Sequence, residues 1–150
     1  MPRPRPVKAG AGERPTEEGM IERGRRVQIQ TADAPAPGGA YSQGMAAGRL
    51  IATAGQVGID PRTGDLAGGI EAQTRQALAN VTAVLDAAGA SWTEVVKTTC
   101  FLADIADFAR FNAVYSKVVP DPKPARSTIG VRLAGELLVE IEALAVVPDR

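Results

Sequence analysis

Arg126 is the side chain best suited to bind a small anion. It follows Pro124 in the segment Lys123-Pro124-Ala125-Arg126-Ser127-Thr128, and we expect a strand there because Pro124 fixes the entry of the chain. A guanidinium on a rigid strand can hold a carboxylate through two parallel hydrogen bonds. The alternative is a structural salt bridge, and the residue types leave both interpretations open.

Two glutamates interrupt an otherwise apolar segment close to the C-terminus. Glu140 lies between Val139 and Ile141, and Glu142 follows two positions after Glu140. In a strand, both carboxylates project from the same face, roughly 7 Å apart. A carboxylate in apolar surroundings is unfavourable unless it is paired or hydrogen-bonded. One glutamate could hold a water molecule while the other pairs with an arginine; alternatively, both are solvated or structural.

Four further residues are weaker candidates for chemistry. Tyr41 follows the flexible run Gly38-Gly39-Ala40, which can bring a phenol over a ligand. Gly55 ends a predicted strand, where a bare backbone N–H can approach a carboxylate closely. Asn112 lies in a predicted helix and is either a ligand contact or a surface residue. Cys100 is mid-strand, so we predict a small core residue rather than a nucleophile.

The composition restricts the chemistry available to the protein. The chain has 150 residues, 45% of them hydrophobic, no histidine and a formal net charge of zero. One domain with its own core fits this length. Without histidine, the usual zinc ligands and every histidine-based nucleophile arrangement are excluded, and we predict no metal site. Residues 27–150 carry ten basic and thirteen acidic groups, which argues against binding of nucleic acid.

Targeting and organisation follow from the same composition. No apolar run approaches the roughly 20 residues needed to cross a bilayer, and a single cysteine suits a reducing compartment, so we expect a cytoplasmic protein without membrane contact. Residues 1–26 are rich in proline, glycine and charge, and we predict a disordered extension ahead of a domain over 27–150. Met20 is either the true start of the chain or part of a native tail.

The periodicity of apolar residues predicts the order β-β-β-α-β-α-β-β. Two helices are too few to cover both faces of a six-stranded sheet, so we expect an α+β fold with both helices on one face. The predicted strands are 27–30, 42–46, 49–56, 95–102, 125–131 and 137–147, and the predicted helices are 70–88 and a second one from Asp104 or Asp107 to about Val119.

Local signals mark the ends of the helices. Gly89 stands where the first helix needs a left-handed residue, and Pro120 ends the second. Ser91 and Glu94 have the spacing of a capping box, which predicts a single helical turn. The second helix carries an apolar stripe formed by Phe108, Phe111, Val114, Tyr115 and Val118.

The last predicted strand has two different faces. Val139, Ile141, Ala143 and Ala145 alternate on one face and suit packing under the helices, whereas the other face combines Glu140 and Glu142 with Leu144 and Val146. A monomer would leave this second face exposed, so we infer that other subunits cover it in a homo-oligomer. The alternative is that loops or the N-terminal tail cover it.

A series of motifs resembles the Rid family (reactive intermediate deaminases, RidA/YjgF-like) in the family's order over about residues 27–147. The motifs are Tyr41-Ser42-Gln43, Thr53-Ala54-Gly55-Gln56, Glu71-Ala72-Gln73-Thr74-Arg75-Gln76, Val96-Lys97-Thr98-Thr99-Cys100-Phe101-Leu102, Asp107-Phe108, Asn112-Ala113-Val114-Tyr115, Pro124-Ala125-Arg126-Ser127-Thr128 and Val139-Glu140-Ile141-Glu142-Ala143.

The resemblance implies a homotrimer with a chorismate-mutase-like fold, a mixed sheet and active sites in the clefts between subunits. It implies hydrolysis of reactive enamines and imines, such as 2-aminoacrylate, 2-iminopropionate and 2-iminobutanoate, to 2-keto acids and ammonia. This activity belongs to metabolite damage control and needs no cofactor. The partner it implies is therefore a small 2-imino or 2-keto acid.

The resemblance also assigns roles to single residues. Arg126 corresponds to the arginine that binds the substrate carboxylate, and Glu140 to the glutamate placed near the attacking water. Further substrate contacts are implied for Tyr41, Gly55, Asn112 and Thr128.

Two positions depart from the family pattern. Ala54 stands where the family commonly has serine, and Ala40 where it usually has proline. The missing hydroxyl removes one hydrogen bond, about 0.5–1.5 kcal/mol, which lowers activity or alters preference without abolishing it. Two competing functions stay open: a non-catalytic, carboxylate-binding regulatory trimer, and an endoribonuclease or translation inhibitor, against which the mildly acidic domain argues.

Overall fold

The computed structural model describes residues 25–149, which form one mixed sheet and two helices. Its elements are β1 (Arg26–Ile29), β2 (Gly44–Ala47), β3 (Leu50–Thr53), β4 (Gln56–Val57), α1 (Ile70–Ala87), β5 (Val95–Leu102), α2 (Phe108–Val118), β6 (Ala125–Gly130) and β7 (Val139–Val146). Residues 1–24 of the predicted extension, Met20 among them, lie outside the described residues. The strand β1 begins at Arg26, within the last two residues of the predicted extension.

The strands follow the order β1-β2-β3-β7-β5-β6, with β4 also paired to β7. All of these pairs are antiparallel except β5 and β6, which run parallel. A parallel pair needs a crossover connection, and here α2 provides it. The order places β7 in the middle of the sheet and β6 at its edge.

The sheet has seven strands rather than the predicted six, because the predicted strand 49–56 is interrupted at Ala54 and Gly55. Ala52 pairs with Leu144, whereas Gln56 pairs with Ile141. An advance of four residues, from Ala52 to Gln56, is therefore matched by only three residues on β7. One extra residue on one strand is the definition of a β-bulge. Periodicity alone could not locate this break.

Both helices pack on one face of the sheet, as predicted. The core joins apolar side chains of α1, α2 and the sheet, including Leu78, Leu85, Phe111, Tyr115, Ile141 and Val139, all of them buried. Burying one side chain of this size stabilises the fold by about 1.5–3 kcal/mol. The predicted inward face of β7 is confirmed, since Val139, Ile141, Ala143 and Ala145 are all buried.

The caps of the helices agree with the sequence signals. After α1, the N–H of Gly89 donates to Asp86 O and that of Ala90 to Leu85 O, while Gly89 has a φ of 73°; this is a Schellman motif. The capping box between Ser91 and Glu94 is confirmed. Ahead of α2, the N-cap position belongs to Asp107, whose side chain makes no cap hydrogen bond. The Asp104 carboxylate instead accepts from the N–H of Ala106 and starts the short 3-10 turn that precedes the helix.

The other face of the sheet is uncovered within residues 25–149. Leu144 and Val146 are 41% and 38% exposed, and Leu50 and Ile129 are more exposed still. We call this surface the open face; it consists of the outward side chains of β3, β5, β6 and β7. Among the described residues no loop covers it, so the predicted cover by other subunits stays a prediction. No helix in this part of the chain has the length and apolar character to cross a bilayer.

Candidate active site

Arg126 lies on the helix side of the sheet, at its β6 edge. In the parallel β5–β6 pair, Arg126 is opposite Thr98, and Thr98 pairs with the buried Ala143 of β7. Paired residues share a face of the sheet, so the guanidinium projects towards α2. The half-buried Arg126 is therefore positioned by a strand below and a helix above.

Three aromatic rings of α2 surround the guanidinium. The Arg126 Cζ atom lies 4.6 Å from the ring centroid of Tyr115, 5.5 Å from that of Phe108 and 5.6 Å from that of Phe111. Arginine on an aromatic face contributes about 0.5–2 kcal/mol, and more when water is excluded. The rings thus hold the cation in place without neutralising its charge.

Asn112 supplies the polar contact to this cation. Its Oδ1 atom accepts a hydrogen bond of 2.8 Å from Arg126 Nη1. Arg126 takes part in none of the salt bridges among residues 25–149, so the alternative of a structural salt bridge is not realised there. A guanidinium carries five N–H donors, and most of them stay available to a ligand.

A cavity of about 280 Å³ opens beside the guanidinium. Lys123, at its edge, donates from Nζ to the carbonyl oxygens of Ser116 and Val119 at the end of α2. The cavity is lined by Asn112, Tyr115, Ser116, Lys123, Pro124 and Arg126. The Lys123 ammonium is also 3.6 Å from the Asp121 carboxylate, so Arg126 and the Asn112 amide are the groups that suit this cavity to a small acid.

Thr128 lies one side-chain step along β6 from Arg126, on the same face. Its partner in β5 is the buried Cys100. The Oγ1 atom of Thr128 is buried and has no hydrogen-bond partner among the described residues. An unmade hydrogen bond of this kind costs about 1–3 kcal/mol, so among residues 25–149 this hydroxyl is a polar group without an acceptor or donor.

Glu140 and Glu142 lie on the open face, opposite to Arg126. Glu140 pairs with Phe101 and Glu142 with Thr99, while their neighbours Val139 and Ile141 face the core. Burial raises the pKa of the Glu140 carboxyl above its ordinary value, and the Glu142 carboxylate raises it further. One chain therefore does not bring Arg126 together with either glutamate.

Gly55 packs directly against Glu140. A Cβ atom at position 55 would lie 2.6 Å from Glu140 Cδ and 2.9 Å from its Oε1, closer than real Cβ contacts. The bulge between β3 and β4 places this glycine beside β7. The absence of a side chain at Gly55 is therefore what gives the Glu140 carboxylate its room.

Tyr41 stands apart from the other candidates. Its side chain is 54% exposed, and its phenol oxygen accepts a hydrogen bond of 3.1 Å from the N–H of Gly38. The buried Gln43 fixes the adjacent loop, since its amide nitrogen donates to the carbonyls of Ala34 and Pro35. Tyr41 is thus presented at the surface on an anchored segment.

Cys100 is a core residue, as predicted. It is fully buried, and burial raises the pKa of its thiol to about 11. A thiol with such a pKa is protonated at neutral pH and a poor nucleophile. Among residues 25–149 there is also no group of three or more metal-ligating side chains.

The aromatic environment of Arg126 was not predicted from the sequence. Phe108, Phe111 and Tyr115 were interpreted only as the apolar stripe of α2, and Thr98 received no role. Asn112 follows Phe108 by four positions in the same helix, so the sequence already indicated that the two side chains lie on one helix face. This shared face gains meaning only once the parallel β5–β6 pairing places Arg126 under α2.

Comparisons with known proteins identify the family. The family model described as Endoribonuclease L-PSP matches residues 31–147. A RutC family protein of Pyrococcus horikoshii is 48% identical over 78% of this chain and 94% of its own length. The 2-iminobutanoate/2-iminopropanoate deaminase of Escherichia coli K12 is 43% identical over 79% and 95%.

A solved structure agrees with these sequence relatives. The crystal structure of E. coli TdcF with bound serine matches at a TM-score of 0.79 and 37% identity, over 81% of this chain and 99% of that one. The family model's match over residues 31–147 includes both helices and every strand except β1. The chain therefore belongs to the Rid (RidA/YjgF) family, whose model carries the Endoribonuclease L-PSP description.

Proposed function

We propose that the protein hydrolyses small 2-imino and 2-enamino acids to 2-keto acids and ammonia. The observation that carries this proposal is the Arg126 guanidinium, held by aromatic rings and an amide beside a cavity, with no carboxylate partner among residues 25–149. Such a cation binds a substrate carboxylate through two charge-assisted hydrogen bonds. The deaminase named among the relatives supports the choice of reaction.

The reaction asks little of the protein beyond positioning. A protonated imine carbon is already electrophilic, so water can attack it once the carboxylate is held in place. Glu140 accepts a proton from that water as the new C–O bond forms, and then returns a proton to the nitrogen. As the C–N bond breaks and the carbonyl forms, the Glu140 carboxylate takes up the proton of the new hydroxyl group, and ammonia leaves. Thr128, Asn112, Gly55 and Tyr41 are proposed as further contacts to the substrate.

The proposed site combines two copies of the chain. Arg126 faces α2, whereas Glu140 lies on the open face with the exposed Leu144 and Val146. A neighbouring copy that covers the open face can bring its own Arg126 surface to Glu140. A closed ring with such head-to-tail contacts repeats the same site at each interface, and we propose a homotrimer with sites between the subunits.

Competition for an imine generated in solution tests the activity. An amino-acid oxidase produces the imine from its parent amino acid, and semicarbazide traps whatever has not yet been hydrolysed. We expect the full-length protein to lower the yield of trapped imine in proportion to its concentration, across alanine- and 2-aminobutanoate-derived imines. An unchanged yield at high protein concentration would contradict the proposed activity.

A second candidate is binding of a small acid without turnover. The structural relative TdcF was crystallised with bound serine, and here the cation, the amide and the cavity lie within one chain, on the side of the sheet away from Glu140. Saturable binding of 2-oxobutanoate together with an unchanged yield of trapped imine would favour this candidate over the deaminase.

Glycine at position 55 is expected to be essential for activity and of minor importance for stability. In Gly55→Ala the new methyl group displaces the Glu140 carboxylate, since the atoms it meets belong to that flexible side chain. We expect kcat to fall by about 10²- to 10⁴-fold, the contribution of a general base. Trapped-imine kinetics and chemical denaturation measure the two effects.

Gly58→Ala is the matched control for this substitution. There the added Cβ would meet the backbone of α1 at Gln73, 2.6 Å from its Cα, and a backbone cannot rotate away. We expect Gly58→Ala to lower the denaturation midpoint more than Gly55→Ala does. Normal kcat in Gly55→Ala would show that the carboxylate tolerates displacement.

The acid limb of the pH profile is expected to depend on Glu142. As a base, Glu140 must be ionised, so activity is lost as pH falls through its raised pKa. Burial is the larger cause of that rise and the Glu142 carboxylate the smaller. In Glu142→Gln the repulsion is gone, so we expect the limb of kcat/KM to move to lower pH while staying above the ordinary glutamate range.

Measuring kcat/KM over a pH range that begins below the ordinary glutamate pKa gives the limb directly. The exposed pair at Glu71 and Arg110 offers a control, since Glu71→Gln removes a distant carboxylate and should leave the limb unchanged. A limb that moves to higher pH in Glu142→Gln would mean that Glu140 is not the group that titrates.

A further inference from the structure

We propose that Tyr115, fixed by a hydroxyl pair with Thr98, is the positioning residue that sets the plane and location of the Arg126 guanidinium. This inference rests on the proposed function, because that function assigns the guanidinium to the substrate carboxylate. It goes beyond it by naming a residue that acts through Arg126 rather than on the substrate.

The contacts connect the two residues directly. The Tyr115 ring is the nearest of the three, with its centroid 4.6 Å from Arg126 Cζ. Its phenol oxygen is 2.7 Å from the Thr98 Oγ1 atom, and both groups are buried. Thr98 is also the residue of β5 that pairs with Arg126 of β6. Thr98 is therefore both the hydrogen-bond partner of the Tyr115 ring and the strand neighbour of Arg126.

Packing alone does not require the hydroxyl groups of Tyr115 and Thr98. Tyr115 is 2% exposed and Thr98 is fully buried, and two apolar side chains of the same shape would fill this space without a hydrogen bond. A buried hydroxyl is unfavourable unless it is paired. Phe108 and Phe111, whose rings lie further from Arg126, carry no hydroxyl. The nearest ring is therefore the one that is tied to the sheet.

Two contacts then restrain the guanidinium in different directions. The tied Tyr115 ring supports its face, and Asn112 Oδ1 holds one of its edges through Nη1. A bidentate carboxylate contact needs both the plane and the edge to be correct. If the ring is free to move, we expect the cation to stay in the cavity but to bind a carboxylate less well.

Three variants test this inference: Tyr115→Phe, Thr98→Val and the two combined. Each single variant leaves one buried hydroxyl without its partner, so we expect lower stability and a KM raised about three- to tenfold, the loss of one hydrogen bond. In the double variant no unpaired hydroxyl remains, so stability should recover towards wild type. KM should nevertheless stay raised, because the ring is still untied. KM that recovers together with stability would show a merely structural role.

A measurement without turnover separates this inference from the proposed function. Proton–nitrogen spectra of the full-length protein report the Arg126 Nε group, assigned by its loss in Arg126→Lys, and a titration with 2-oxobutanoate reports carboxylate binding. We expect the Nε resonance to be shifted by the Tyr115 ring and to move in all three variants, with binding weakened by the same factor as KM. Thr98→Ser, which keeps the hydroxyl, should retain wild-type values.

The outcomes are distinct. If the wild-type protein binds 2-oxobutanoate but hydrolyses no imine, the deaminase proposal fails, and the spectra and binding still decide the role of Tyr115. If the Nε resonance and the binding of 2-oxobutanoate are unchanged in Tyr115→Phe and Thr98→Val, the positioning role is wrong, whatever the activity. Weakened binding in all three variants with retained binding in Thr98→Ser supports it.

Discussion

Replacing Arg126 with alanine is expected to lower kcat/KM for a 2-imino acid by about 10²- to 10⁴-fold, because two hydrogen bonds to a charged group are lost at once. The fold should survive, since Arg126 lies at the edge strand of the sheet and is only half-buried. Trapped-imine kinetics measure the loss, and circular dichroism with light scattering checks fold and assembly.

Two control variants make this result specific. Arg126→Lys keeps the charge but cannot make the planar bidentate contact, so we expect activity between that of alanine and wild type. Arg110→Ala removes an exposed arginine of the same helix layer, whose partner is Glu71, and should leave kcat/KM unchanged. Wild-type turnover by the Arg126→Ala variant would remove the basis of the proposed function.

The elements that bury a regular stripe could be predicted from the sequence. The boundaries of α1 and β5 follow from periodicity and end signals, because local backbone preferences and burial agree there. The alternation along β7 also predicted which side chains face the helices and which form the open face. In these elements, the residues close by in the sequence are enough to decide whether a side chain faces the core or the solvent.

The pairing of distant strands could not be predicted in the same way. The bulge at Ala54 and Gly55 depends on the register of β3 and β4 against β7. That Arg126 faces α2 while Glu140 faces away depends on the parallel pairing of β5 with β6. Both features are set by contacts between residues far apart in the sequence, and the periodicity of apolar residues contains no information about such contacts.

The same limit explains why the candidate site was predicted only as a set of residues. Arg126, Glu140, Gly55 and Asn112 were all named from the sequence, and Asn112 with Arg126, like Gly55 with Glu140, proved to be in contact. The two pairs lie on opposite faces of one sheet. Their separation has a direct experimental consequence.

Mixing two inactive variants is expected to restore activity. Arg126→Ala keeps an intact Glu140 side and Glu140→Gln keeps an intact Arg126 side, so a mixed assembly of the proposed trimeric kind rebuilds complete sites wherever the two intact sides meet. For random mixing of equal amounts, each site has the required arginine in half of the cases and the required glutamate in half. About a quarter of the wild-type activity should return if every interface is of the same head-to-tail kind.

The dependence on mixing ratio separates shared sites from sites within one chain. With shared sites, restored activity is proportional to the product of the two variant fractions, so it is greatest at equal amounts and vanishes at either end. Mixing Arg126→Ala with the double variant Arg126→Ala/Glu140→Gln supplies no arginine and should restore nothing. The variants must be co-refolded or co-expressed, because oligomers that have already formed need not exchange subunits. If co-refolded mixtures of demonstrated mixed composition stay inactive at every ratio, Arg126 and Glu140 do not act in one site.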